Sequence, residues 1–304
     1  MLLLRRLLRL LLLACSLPGG AALAQTQPAA PAADAFDGDL AAMSASLSSR
    51  LAASPLKAPV LIESRQAGDQ LSGILLAEVP YPLATIAAAL GRPASLCDVL
   101  FLHVYVHACA PAGDAIAVHF GDRDGSSATA QRIDYAMSAS TTADRFGLLL
   151  QAAQGPASTR HYRIAIDAVV LDERRSLVRL SYRYEVGVIG RLAMQAYLKT
   201  AGRHKIGFTE EPAADGQPAP IGGLRGSLER NLMRYHVALR AYLDGASAPA
   251  ASRLDTRLRT WYRMTETYSR QLHEQSLDEY LQAKASERRD QNADAAVRQP
   301  ATRP

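Results

Sequence analysis

The chain has 304 residues, 48% of them hydrophobic and 21% charged, with a formal net charge of +5. That composition suffices for one well-packed domain of ordinary size with extensions, and it excludes a wholly disordered chain. Three arginines, Arg5, Arg6 and Arg9, stand in a segment that reads as a removable leader without acidic residues; losing it takes the charge from +5 to +2, so no nucleic-acid partner is expected.

Residues 1–24 have the parts of a secretory signal peptide: the basic start, an apolar run from Leu7 to Leu13, and Ala22-Leu23-Ala24 before Gln25. A membrane span needs about 20 continuous apolar residues, and Ser16, Pro18, Gly19 and Gly20 interrupt this one. Leu12-Leu13-Ala14-Cys15 resembles a lipobox, so the alternative to a free periplasmic protein is one lipid-anchored through Cys15. Residues 25–57 are rich in Ala, Gln, Pro and Ser and are expected to be a linker with one short helix around Leu40 to Leu51.

Val60 to Glu63 and Leu71 to Val79 read as strands of a hairpin turning at Gly68-Asp69. Pro80 and Pro82 stop the second strand, and the spacing of Leu83, Ile86, Ala87 and Leu90 predicts a helix that Gly91 ends. Pro93 starts a second short helix. Then come β-rich runs over Val104–Cys109, Ala115–Gly121, Gln131–Ala139, Arg145–Ala153, Thr159–Leu171 and Ser176–Val186, with turns at Asp122-Arg123-Asp124-Gly125 and Gly155-Pro156. In the last two strands one face holds Tyr162, Ile164, Ile166, Ala168 and Val170, then Val178, Leu180, Tyr182, Tyr184 and Val186. The other holds Arg163, Asp167, Arg179, Arg183 and Glu185, which implies a sheet covered on one side and wet on the other.

The cover is an amphipathic helix over 189–200 and a longer one over Leu224 to Leu243, whose stripe includes Leu228, Leu232, Tyr235 and Leu239; Gly245 closes it. A helical extension spans 246–285, with Ser252 and Asp255 as a capping-box-like start and Leu254, Leu258, Trp261, Tyr262, Thr265, Tyr268 and Leu272 as its stripe. Residues 286–304 lose periodicity and are expected to be a disordered tail.

Without Cys15, two cysteines remain, Cys97 and Cys109, and an exported chain often bonds such a pair. On one continuous strand they would lie roughly 40 Å apart, so a disulfide requires a reversal near residues 100–103; the alternative is two free thiols.

The order of hairpin, two short helices, meander and long helix over residues 58–245 resembles the START-like, helix-grip superfamily of lipid-transfer, polyketide-cyclase and Bet v 1-like proteins. The local match is best over Leu71 to Leu100, with Leu96 where that superfamily often has Trp. The resemblance implies an α+β fold, a curved antiparallel sheet gripping a long C-terminal helix with extra helices after it, and a cavity for an apolar, lipid-like ligand. Against it stand residues 189–220, inserted before the long helix, of which 202–223 would be a lid or a mere connection.

No motif orders Ser, His and acid into a catalytic set, and no cofactor is expected. His103 and His107 have ligand-like spacing only on a helix, and the run from Asp122 to Ser126 lacks the twelfth-position acid of a calcium loop, so no metal is expected. The residues expected to contact a ligand are Tyr135, Tyr182, Tyr184, Tyr197, Leu228, Leu232 and Tyr235, with Arg183 for an anionic end. The basic residues Arg191, Lys199, Arg203 and Lys205 could meet an anionic membrane surface, and the 252–285 segment a protein partner, as in a non-catalytic envelope module. A cyclase-type enzyme would need Arg183, Glu185 or His161 to face the cavity.

Overall fold

A computed structural model describes residues 38–121, 130–187, 190–192, 200, 204–213 and 215–298; the leader with Cys15, the 122–126 turn and Tyr197 lie outside them. Its centre is an eight-stranded antiparallel sheet in the order β1-β2-β8-β7-β6-β5-β4-β3. The strands are β1 (Val60–Ala67), β2 (Gln70–Val79), β3 (Val106–Ala112), β4 (Ala115–Phe120), β5 (Gln131–Thr141), β6 (Arg145–Gln154), β7 (Thr159–Val170) and β8 (Ser176–Val186). The β1–β2 turn is two residues long, and Gly68 takes φ 58, which glycine adopts without a Cβ penalty. β2 then pairs with β8, so the first hairpin joins the meander at its far end.

Three helices precede the last strands' cover: α1 (Leu40–Ala52), α2 (Leu83–Leu90) and α3 (Pro93–Leu100). Pro93 sits at the start of α3, where its missing N–H costs nothing. The chain then turns through residues 101–105, so β3 starts at Val106 and not at Val104. This reversal brings Cys97 on α3 beside Cys109 on β3, with Cα atoms 5.1 Å apart, and the two are disulfide-bonded. At the start of β7, His161 takes φ 54 within a register shift between Arg160 and Arg163. The bulge turns His161 outward and leaves Tyr162 facing in.

After the sheet come a small hairpin, β9 (Glu210–Pro212) with β10 (Pro218–Pro220), then α4 (Gly223–Asp244), α5 (Arg253–Glu266), α6 (Ser269–Leu272) and α7 (Leu277–Arg298). α4 crosses the inner face near β1, β2 and β8, with α2 and α3 beside it. At Gly73 an added Cβ would stand 2.9 Å from a Leu232 methyl, so the strand's lack of a side chain is what lets helix and sheet approach.

Further expectations are corrected. The helix of the 25–57 segment is packed structure: α1 lies on the outer face against β1, β2, β7 and β8, with Leu40, Leu47 and Leu51 buried. Asp39 caps it by accepting from the N–H groups of Ala41 and Ala42, and pairs with Arg145 at 2.8 Å. The outer face is therefore not uniformly wet, and Ile74 and Leu76 are as buried as Leu75. Val170, at the end of β7, is 43% exposed and outside the covered face.

Ser252 makes no capping bond to α5; the reciprocal box is Ser276 with Glu279, at the start of α7. Finally, the helix continues from 286 to 298 where a disordered tail was expected. One face of α7 carries Tyr280, Lys284, Glu287 and Gln291, spaced four, three and four apart. Tyr280 donates to Leu102 O, Lys284 Nζ to His103 O at 2.9 Å and Val106 O at 2.8 Å, and Gln291 to Cys109 O. Glu287 takes the third lysine proton and lies 3.0 Å from His107 Nδ1. The stripe is anchored by polar ends on carbonyls of the disulfide-closed loop, so an apolar period does not reveal it.

Lys284 is 1% exposed with all three donors used, which makes it irreplaceable by an apolar isostere. Lys284→Met should cost about 3–5 kcal/mol in urea unfolding, by orphaning two carbonyls and Glu287; a loss below about 1 kcal/mol would show that α7 is only loosely seated.

Candidate functional site

Between the inner face of the sheet, α3 and α4 lies a cavity of about 50 Å³. Leu90 and Leu96 reach it from the two short helices, Val118, Leu150, Val178 and Leu180 from the sheet, and Tyr235, His236 and Leu239 from α4. Alternation along the strands aims these side chains inward, and the 3.6-residue turn of α4 presents 235, 236 and 239 together.

Of the residues expected at the site, Tyr135 and Tyr235 line the cavity. Tyr182 and Tyr184 belong to a tyrosine cluster at its border: the Tyr162 ring is 5.3 Å from Tyr184 and 6.3 Å from Tyr135, and Tyr182 is 6.4 Å from Tyr235. Burial holds all five phenols above their ordinary pKa, so they stay neutral. Tyr162 is satisfied by Thr159, at 2.6 Å. Among the described residues the hydroxyls of Tyr135 and Tyr235 have no hydrogen-bond partner. Leu228 and Leu232 are buried, but they pack on Gly73 and close the space there instead of lining the cavity.

Arg183 is a correction: β8 alternation puts Tyr182 inward and Arg183 on the outer face, in a groove with Ser72, Arg163 and Ser181. It cannot meet a ligand inside the sheet. Glu185 and His161 are also outside, paired with each other at 3.1 Å, so none of the three groups a cyclase reading requires faces the cavity. Leu96, aligned with the superfamily's usual Trp, does line it.

His236 was not anticipated. It is 9% exposed on the cavity wall, and burial, helped by the Arg240 charge, pushes its pKa down to about 3. The long stripe expected for α4 skipped it because it stands between Tyr235 and Val237 and reads as polar. His103 and His107 are buried at separate places, one stacked on Tyr235 at 4.8 Å and the other beside Glu287, and no group of three or more metal-capable side chains occurs among the described residues.

The back of α4 is held by charges. Glu229, 0% exposed, accepts from Ser64 Oγ, the backbone N–H groups of Phe208 and Thr209, and Thr209 Oγ1 at 2.6–2.9 Å. These bonds fasten residues 208 and 209 to α4. Arg234, 2% exposed, donates to Glu274 at 2.6 Å, and Lys205 pairs with the same carboxylate. Trp261 Nε1 donates to Arg234 O, so the apolar stripe of α5 is spent on α4. The basic stretch expected to meet a membrane is partly neutralised as well: among its described members Arg191 pairs with Asp69 and Lys205 with Glu274.

An eight-stranded antiparallel sheet, two short helices after its first hairpin and a long helix across its inner face give the chain a helix-grip fold. No family model matches the sequence, and no curated protein matches it. Among solved structures it is similar to a STAR-related lipid transfer protein from Xanthomonas axonopodis, at 9% identity over 61% of this chain and 93% of that one, with a TM-score of 0.38. It is also similar to the Zhui aromatase/cyclase from Streptomyces sp. R1128, at 12% identity, 67% and 94% coverage and a TM-score of 0.29. A START superfamily protein from Mycobacterium smegmatis matches at 15% identity, 44% and 93% coverage and a TM-score of 0.30. The fold is read from strand order and helix placement, and not from these partial superpositions.

Burial opposes ionisation of Glu274, but Arg234 and Lys205 outweigh it and hold its carboxyl below the ordinary carboxylate range. A lowered folded-state pKa stabilises above the unfolded value of about 4.3, and that contribution is lost as pH falls through the folded one. Glu274→Gln should therefore cost about 2 kcal/mol at pH 7 and show a shallower fall in stability below about pH 4 than wild type. Parallel acid limbs in the two unfolding curves would refute the coupling.

Proposed function

We propose that the protein is exported and binds an apolar, lipid-like small molecule between the sheet and α4, as a carrier or sequestering protein of the cell envelope. The observation that carries this reading is the cavity wall: apart from Tyr135, Tyr235 and His236 every lining side chain is hydrocarbon, and none is charged. Water is poorly held in such a space, and an apolar ligand gains by filling it. Burying roughly 300 Å² of ligand at about 25 cal/mol per Å² yields about 7 kcal/mol before losses.

The closed cavity of about 50 Å³ is small beside the roughly 300–1,000 Å³ of ligand pockets. Binding of a lipid-sized molecule thus widens the space. The back of α4 is fastened through Glu229 and Arg234 and α3 is bonded to β3 through Cys97, so the widening falls on the side of α2. The envelope location rests on the 1–24 leader and agrees with the Cys97–Cys109 disulfide.

Expressed with its own leader and purified without detergent, the protein should begin at Gln25 and yield an apolar molecule near one per chain on solvent extraction and mass spectrometry. Leu180→Trp, which fills the cavity, should leave unfolding cooperative and reduce the yield at least tenfold. A wild-type protein that carries nothing and takes up no apolar probe would contradict the reading.

A further inference from the structure

The cavity is not uniformly greasy, and the exceptions are chemically specific. Tyr135 is 2% exposed and His236 9%, and both line the same wall system as Tyr235. Among the described residues neither the hydroxyls of Tyr135 and Tyr235 nor the ring nitrogens of His236 have a hydrogen-bond partner. Their polar atoms open on the cavity and are not sealed among packed side chains, and three such groups around one apolar space mark where a ligand's polar atom pairs with them.

Their chemistry selects the ligand. Burial drives the His236 pKa to about 3, so the imidazole offers one donor and one acceptor, and the phenols add donors. No Lys, Arg, Asp or Glu lines the cavity. The cations nearest these groups stand behind the lining: Arg234 donates to Glu274, and Arg240 lies 3.8 Å from Asp244 and over the Tyr81 ring, although each leaves its Nε unpaired. A carboxylate or phosphate drawn into the cavity would shed its hydration with no cation on the wall to pair with it.

Resting on the apolar-ligand reading, we infer that the ligand is uncharged and carries an oxygen function, a hydroxyl or carbonyl, received by His236, Tyr135 and Tyr235. The site thus discriminates against fatty acids and other anionic amphiphiles, which the outward position of Arg183 also leaves unserved.

Equilibrium dialysis at pH 7 with naphthalene, 2-naphthol and 2-naphthoate separates the terms, because the three share a ring system and differ only at one substituent. 2-Naphthol should bind about tenfold tighter than naphthalene, and 2-naphthoate weaker than both. His236→Phe combined with Tyr135→Phe should bring 2-naphthol down to the naphthalene level while leaving naphthalene unchanged; Tyr135→Phe alone, which removes one oxygen, should lower the preference if the double variant does not fold. A preference below about threefold, or tightest binding of the naphthoate, overturns the oxygen requirement while the apolar reading stands. Failure of all three probes to bind overturns both.

Discussion

A long helix buried on all sides is the constraint around which the rest of this protein is arranged. α4 buries Leu224, Leu228, Leu232 and Leu239 toward the sheet, yet Glu229, Arg230 and Arg234 are buried on it too. A charged group removed from water destabilises by several kcal/mol unless it is paired and hydrogen-bonded. Strand β1, the inserted segment 205–209 and the C-terminal extension supply those partners: Ser64 and Thr209 for Glu229, Ile206 O for Arg230, Glu274 for Arg234. In a helix-grip sheet whose long helix is the last element, one face of that helix meets solvent. Here α5 and α6 lie against it and α7 packs on α5 and β3, so the extension is part of the same packed body.

That arrangement divides the molecule into a fixed back and a responsive front. On the back, charge pairs and the α7 stripe bind helix to helix and α7 to the disulfide-closed loop. On the front, between α4 and the sheet, contacts are apolar and non-directional around an unfilled space. Non-directional packing can rearrange around a guest at less cost than a hydrogen-bonded network. The fold thereby places its adaptable surface where an apolar guest would sit.

Much of this was legible in the residues. Period-two alternation located the strands to within a few residues and put Arg183 opposite Tyr182; assigning Arg183 to a cavity ligand contradicted that alternation. Period 3.6 with Gly245 located α4. What escaped were elements whose docking signal is polar or sparse. α1 seats three leucines among alanines and serines, which in isolation resembles a linker. α7 docks through Lys284, Glu287 and Gln291, and their partners are backbone carbonyls, which no side-chain pattern encodes. Its capping box, Ser276 with Glu279, was present in the sequence as a start signal for that helix. His236 was hidden for a related reason: a polar residue on a helix flank reads as solvent-facing until the opposite flank is known to be covered.

The central claim, a dry apolar space between α4 and the sheet, is tested most directly by xenon. A crystal pressurised with xenon should show one strong site bounded by Leu75, Val178, Leu180 and Leu239, with no ordered water against those four side chains beforehand. Ordered water against those four side chains, or no xenon between the sheet and α4, would contradict the account.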